Sequence, residues 1–275
     1  MILVTGAAGN VGQELVRALL GAGEPVRALV RDQDRAVPAG AEAVTGDLNQ
    51  PASLAPALAD AHGLFLLSGY ADMPGLLAAA GRAGVERVVL LSGGAAVATG
   101  PANPISEYMI TSEDAVRRSG LAWTLLRPYE FMSNALRWAP QLQAGDAIRA
   151  PFAGVPVAVI DPHDIAAAAA AALLASGHEG QAYRLSGPQP LLPADRVRIL
   201  AEVLGRRLRF EPQPDDEARA EMTASMPAAY VDAFFSFYVD GALDESQVLG
   251  TVGDLTGSAP GTFEAWASRH AGAFG

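Results

Sequence analysis

A chain of 275 residues, half of them hydrophobic and 18% charged, holds enough apolar material for a large buried core and reads as one cooperative unit with a grafted lobe. Its formal net charge of −11 argues against nucleic acid as the main partner, because phosphate backbones are held by clustered Lys and Arg that release counterions. With no cysteine, disulfides, thiol nucleophiles and iron–sulfur clusters are excluded, and His62, His163, His178 and His270 lie scattered without the ligand spacing of a metal site.

Ile2 to Thr5 is a short apolar run that ends in the glycine loop TGAAGNVG, after which Val11, Leu15, Val16, Leu19 and Leu20 mark one face of a helix. Val26 to Val30 is a second strand that stops at Arg31, Asp32 and Arg35, completing a right-handed βαβ unit. A third strand over Ala41 to Val44 closes on TGDL, and a helix is expected near Leu54 to Leu58. GLFLLSG is a strand with no polar face, as in parallel sheets covered on both sides. Helix Met73 to Ala83, strand RVVLLSG, helix Ser112 to Ser119 and strand AWTLLRP continue the alternation, which predicts a doubly wound Rossmann-type α/β fold over residues 1–150.

After Pro128 the rhythm loosens. A helix is predicted over Phe131 to Leu142 and a strand at GVPVAVID. The alanine-rich helix Ile165 to Ala175 and the strand AYRLSG bring part of 155–187 back to the sheet. Residues 188–275 read as a small C-terminal α/β lobe, mostly helical, that holds substrate. It contains a helix over Ala194 to Leu204 opened by Pro193, a proline-marked junction at EPQPDDEARAEM, the aromatic stretch MPAAYVDAFFSFYVDGAL and a last helix from Thr262. No stretch reaches the roughly 18 apolar residues of a membrane span. The N-terminus has no basic segment ahead of its first apolar run, so a cytoplasmic protein with no membrane contact is expected.

The glycine loop has a physical purpose. Gly6 permits a turn that a Cβ would obstruct, Gly9 lets backbone approach a pyrophosphate, and Gly12 lets the helix pack close to the sheet. With Ala8, Asn10 and Val11 these glycines form a phosphate loop whose N–H groups and helix dipole favour an anion. Alone the G-x-x-G-x-x-G string is weak; following a strand, opening a helix and beginning a βαβ unit, it predicts a bound dinucleotide. At the end of the second strand an acidic side chain would bind a ribose 2′-OH, whereas Arg would grip a 2′-phosphate. Arg31 stands first and Asp32 second, which favours NADP(H) over NAD(H); Asp32 would serve NAD, and a solvated strand-end charge is the plainer reading of Arg31. Further cofactor positions follow the other strand ends: Asp47 and Leu48 for the adenine, then Leu67, Ser68 and Gly69, then Ser92 and Pro128. Ordinary turn chemistry is the alternative at each.

The segments TGAAGNVG, VRALVRD, GDL, RVVLLSG and SGLAWTLLRPYEFMSN, followed in order by IDPHDIAAAAAAAL, YRLSGPQPL and TFEAWASRH, resemble the NmrA-like family of atypical short-chain dehydrogenases, which includes NAD(P)H-dependent quinone oxidoreductases. The resemblance covers nearly the whole chain and implies an NADP-binding sheet with a small lobe closing a substrate cleft. In related extended dehydrogenases a Tyr-x-x-x-Lys pair and an upstream Ser do the acid–base work, the Lys ammonium lowering the Tyr pKa. Here Tyr108 is followed four residues later by Ser112, anchoring on Glu113 puts Met109 at the basic position, and LSGGAA carries Gly94 where the Ser would stand. The pair is incomplete. Tyr108 is left as the catalytic candidate, beside its plainer reading as a structural Tyr.

Hydride transfer to a quinone asks less of a protein, since the acceptor is already electrophilic and its reduced oxygens take protons from water. The first functional expectation is therefore an NADPH-dependent reductase of a small apolar electrophile such as a quinone. Its pocket would be formed by Tyr129, Phe131, Met132, Asn134 and Phe234. The second is a non-catalytic sensor that reads the NADP redox state and passes it to a partner protein. The aromatic stretch of Tyr230, Phe234, Phe235, Phe237 and Tyr238 also reads as core packing at helical spacing. A homodimer is compatible with either function.

Overall fold

A computed structural model describes residues 1–32 and 35–275. The first half runs β1 (Ile2–Val4), α1 (Asn10–Gly21), β2 (Val26–Val30), β3 (Glu42–Thr45), α2 (Ala55–Leu58), β4 (Gly63–Leu67), α3 (Met73–Arg82), β5 (Arg87–Leu91), α4 (Pro104–Arg117) and β6 (Ala122–Pro128). There follow α5 (Ala139–Ala144), β7 (Ala147–Ala150), α6 (Pro162–Leu174), β8 (Gln181–Leu185), α7 (Pro193–Leu204), β9 (Arg209–Pro212), α8 (Asp215–Ser225), α9 (Ala228–Tyr238), α10 (Thr251–Thr256) and α11 (Phe263–Arg269).

Seven strands form one parallel sheet in the order β3-β2-β1-β4-β5-β6-β8. The order reverses between β1 and β4, so their carboxyl ends open the crevice in which doubly wound sheets bind ligands. The apolar runs of the central strands are explained by helices on both faces. Val11, Leu15, Val16 and Leu19 of α1 pack with Ile165, Ala168, Ala169 and Ala172 of α6 on one face. Leu58, Leu76, Leu77 and Val116 from α2, α3 and α4 cover the other. The alanines of α6 have a steric reason: side chains this small let it lie close against α1.

The lobe is built around the two parallel strands β7 and β9. Trp138, Leu142, Ile148, Leu200, Phe263, Trp266 and Phe274 fill its core, with Trp266 only 1% exposed. The chain does not stay in the lobe once it has arrived. It returns to the sheet through α6 and β8, and again when α10 packs on both of them, before α11 goes back to α7. Phe237 and Ala233 of α9 reach across to Ile105 and Tyr108 of α4.

Four segments differ from the sequence expectation. The fourth helix begins at Pro104 rather than Ser112, because the Asn103 side chain accepts from the Ile105 and Ser106 N–H groups at 3.1 and 3.0 Å and Pro104 is preset for the first turn. Met132–Trp138 forms a 3-10 helix ahead of α5, not one helix to Leu142, and Pro140 opens α5. GVPVAVID makes only the isolated bridges Val157 to Leu191 and Phe131 to Ile160; Pro156 brings no N–H to a ladder. The junction EPQPDDEARAEM closes β9 and starts α8, whose first turn carries Asp215, Asp216 and Glu217 at the favourable end of its dipole. Among the described residues no helix is long and apolar enough to cross a membrane, and no group of three or more His, Asp or Glu is arranged to hold a metal ion.

Candidate active site

The glycine loop after β1 is a tight backbone cradle. Gly6 has φ +62° and its carbonyl accepts from the Gly9 N–H at 2.8 Å. A Cβ on Gly12 would stand 2.1 Å from that same Gly6 oxygen, and one on Gly6 would meet Leu67 Cδ1 at 2.7 Å. Gly9 caps α1 without any side-chain hydrogen bond, so the opening N–H groups of this 12-residue helix, from Asn10, Val11 and Gly12, are turned toward whatever lies over the loop. The carbonyl of Ala8 instead accepts from the Gln13 side chain at 3.0 Å. A cradle that side chains would fill, ending in an uncapped helix, fits the pyrophosphate of a dinucleotide.

The neighbouring strand ends gather the other cofactor candidates. Arg31 is exposed just past β2, and Asp47 follows β3, its carboxylate accepting from the Asn49 N–H at 2.9 Å and the Gln50 side chain at 3.1 Å. Tyr70, for which the sequence carries no signal, lies within electrostatic reach of both. Burial holds its phenol above the ordinary value, with the Arg31 charge pulling it down and the Asp47 charge pushing it up. Leu48 faces away from the crevice, into the core with Leu29 and Leu54.

Past β4, Ser68 donates its N–H to Leu91 at 3.3 Å, and Gly69 has φ +97° with the Tyr108 ring against it. Ser112 is buried, donating its hydroxyl to the Tyr108 carbonyl at 2.7 Å and accepting from the Gly69 N–H at 3.0 Å. The residue in the Lys register is thus a clip between α4 and the end of β4. Burial, reinforced by Tyr230, raises the Tyr108 phenol, the opposite of what a neighbouring ammonium would do.

Under this crevice lies a buried charged knot. Glu113, 1% exposed, accepts from the Ser92 hydroxyl at 2.8 Å, from Arg127 Nε and Nη2 at 2.8 and 2.5 Å, and from Arg117 at 2.8 Å. Burial alone would raise this carboxyl; hydrogen bonds from Arg127 and Ser92, the Arg127 charge and Arg117 outweigh it and hold the group below the usual carboxylate range. Ser92 therefore turns its hydroxyl inward, and the knot joins α4 to the ends of β5 and β6.

Beyond β6 the predicted pocket residues part company. Tyr129 is 1% exposed, its hydroxyl accepting from Arg184 at 2.6 Å; Met132 is buried in the lobe core, and Phe131 bridges to Ile160. Asn134 and Phe234 both line a cavity of about 560 Å³ that also takes in Glu130, Trp138, Phe152, Arg196, Met222 and Tyr238. Phe152 holds φ +57°, rare for an aromatic residue, with its ring 5.0 Å from Tyr238 and 5.3 Å from Phe235. Arg196 bonds Glu130 at 3.0 Å and lies over the Trp138 ring. The cavity's surface is more apolar than polar, with the Glu130–Arg196 ion pair in its wall and Arg137, Arg149 and Glu221 also lining it. Tyr238, like Phe234, belongs to the aromatic stretch the sequence singles out; Glu130 had a signal as the neighbour of Tyr129 past a strand end, and Arg196, on a helix of the lobe, had none.

The sequence matches the family described as NAD(P)H-binding over residues 6–176. Among curated proteins it is 40% identical to the (4-alkanoyl-5-oxo-2,5-dihydrofuran-3-yl)methyl phosphate reductase of Streptomyces griseus, covering 100% of this chain and 99% of that one. It is 35% identical to the NAD(P)H azoreductase of Xenophilus azovorans, with 100% and 99% covered. The solved structure of Citrobacter sp. triphenylmethane reductase complexed with NADP(H) shares 25% identity and a TM-score of 0.78 over 98% of this chain and 100% of that one. A match reaching from the glycine loop through α6, with relatives aligned end to end, makes this chain a member of the NAD(P)H-binding family, within the NmrA-like group of atypical short-chain dehydrogenases.

Proposed function

We propose that the protein is an NADPH-dependent reductase of small conjugated acceptors, electron-poor C=C or quinone systems, held in the aromatic cavity of the lobe. That it is an NAD(P)H-dependent oxidoreductase follows from its full-length reductase relatives. The observation carrying the finer reading is the cavity itself: it is walled by Glu130, two residues past the end of β6, so an apolar pocket adjoins the carboxyl ends of the strands. A bound reduced nicotinamide supplies a hydride there. The chain's own part is to lay a flat acceptor among Phe234, Phe152 and Tyr238 and to keep water from the transfer. The named substrates of the relatives, an acylated butenolide ester, an azo compound and a triphenylmethane dye, are all conjugated acceptors, which supports this class. A ketone reductase of the Tyr–Lys type fits less well, because Ser112 occupies the Lys register and its hydroxyl is already committed on both sides.

The test is the absorbance of NADPH mixed with the pure protein and a panel of an acyl butenolide with and without its phosphate, a quinone and an azo dye. Consumption with one or more acceptors supports the reading. Tight NADPH binding with no turnover across the panel would favour the redox sensor instead. Arg31, exposed past β2, is proposed to hold the 2′-phosphate. Arg31→Ala is then expected to weaken NADPH binding by roughly tenfold to a hundredfold, the loss of about 1.5–3 kcal/mol for charge-assisted hydrogen bonds, while NADH affinity stays within about twofold. Equal losses for both cofactors, read by nicotinamide fluorescence, would remove Arg31 from that role.

A further inference from the structure

The glycine at position 94 leaves the end of β5 without the hydroxyl that a Ser would carry, yet the space beside it is filled. A Cβ on Gly94 would stand 2.5 Å from Oε1 of Glu245, a residue of the segment between α9 and α10. Glu245 is 6% exposed; its Oε2 accepts from the Glu130 N–H at 3.2 Å, and its main-chain carbonyl accepts from the Ala158 N–H at 2.7 Å. The lobe therefore delivers one carboxyl to the junction of β5 and β6, hydrogen-bonded to the backbone of Glu130, one of the residues that wall the cavity, and within electrostatic reach of Tyr238, another of them. We propose that Glu245 is the proton donor of this enzyme, its carboxyl standing where the missing Ser would act. The inference rests on the reductase reading above.

An acceptor that has taken up a hydride carries an added electron pair, on the oxygen of an enolate or reduced quinone. The Glu245 O–H bond breaks as its proton bonds to that atom, and the carboxylate left behind recovers a proton from water. Such a donor must hold its proton near neutral pH. Burial, with the facing Glu130 carboxylate, pushes Glu245 up to about 8; the Glu130 N–H and Arg184 of β8 oppose the shift and neighbouring Asp244 adds to it. Tyr238 on α9 and Tyr129 past β6 also feel the Glu245 charge. Among the described residues no cation bonds Glu245: Arg196 is paired with Glu130, and Arg184 with the Tyr129 hydroxyl and the Asp244 carbonyl. An ionised Glu245 would be a buried charge with one N–H donor and no bonded cation, which favours the protonated form.

Glu245→Gln keeps the shape and the acceptor for Glu130 while removing the acid. Infrared spectra of the wild type are expected to show a carboxylic-acid carbonyl band below pH 7 that is lost above pH 9 and is missing from the variant. NADPH affinity is expected to stay within about twofold, kcat to fall by roughly 100-fold, and the decline of wild-type kcat above pH 8 to disappear. Wild-type kcat and pH profile retained in the variant would overturn the proposal while leaving the reductase intact. Should the variant not fold, the wild type alone decides: no titrating acid band, or no decline of kcat above pH 8, sinks it. A wild type that turns over no acceptor takes down both readings, and does so visibly in the first assay.

Discussion

Glu113→Ala is expected to lower folding stability by about 3–5 kcal/mol, seen as a fall in the urea midpoint at unchanged slope. The loss arises because Arg127, whose side chain is 15% exposed, would keep its charge and lose both hydrogen bonds to Glu113, while Ser92 loses its acceptor. Replacing the pair by apolar residues of similar volume would cost far less, since the penalty belongs to the orphaned guanidinium. The pH dependence has a definite sign. A carboxyl held below its unfolded value contributes stability that is present above the unfolded pKa and is lost as pH falls through the lower, folded one. Wild type should therefore weaken on acidification below the ordinary carboxylate range more steeply than Glu113→Gln, a difference that paired urea titrations at acid and neutral pH would reveal. Because the knot fixes the ends of β5 and β6, weaker cofactor binding is expected in the same variants.

Gly12→Ala is expected to abolish cofactor binding, with NADPH affinity down by more than about 100-fold, and to cost about 1–3 kcal/mol of stability as α1 is pushed off β1. The added methyl would lie 2.1 Å from the Gly6 oxygen and 2.7 Å from the Gly6 carbonyl carbon, and backbone in a turn this tight has nowhere to go. Gly9→Ala is the informative contrast. Its Cβ would sit 3.2 Å from the Gly6 oxygen, a contact that small shifts relieve, so thermal stability should change little while the methyl still crowds an approaching pyrophosphate. A Gly9→Ala protein that binds NADPH as wild type does would mean that the phosphates do not lie over this loop.

The parts of the fold written in local pattern were readable from residues alone. The turn at Gly6, the helical face of Val11, Leu15 and Leu19, and the unbroken apolar runs of β4 and β5 each depend on neighbours within a few positions. Short elements stabilised from outside were not. β7 and β9 have four residues each and exist by pairing with one another across the length of α6, β8 and α7. Of the residues expected in the pocket past β6, Asn134 lines the cavity, whereas Met132 joins Ala135 and Trp138 in the lobe core along one face of the 3-10 turn, a packing partner that no local pattern announces. Glu245 shows the limit most plainly. In DESQV it looks like a solvated turn, and it is the backbone at Gly94, Glu130 and Ala158, all far away along the chain, that makes it a buried acid.

The lobe is stitched to the sheet at several places, around 128–132, 160–162, 185–193, 243–252 and 256–263, as the chain leaves for α6, β8 and α10 and comes back. A single swivel joining two bodies needs one flexible connection; here rotation about any of these joints would strain the rest. A clamshell movement about one joint is therefore at odds with this connectivity, and any change of shape at the cavity is left to shifts of packed helices and of side chains such as Phe234. If the cavity holds the acceptor as proposed, so constrained a receptacle would select its guests by outline and flatness before any chemistry begins.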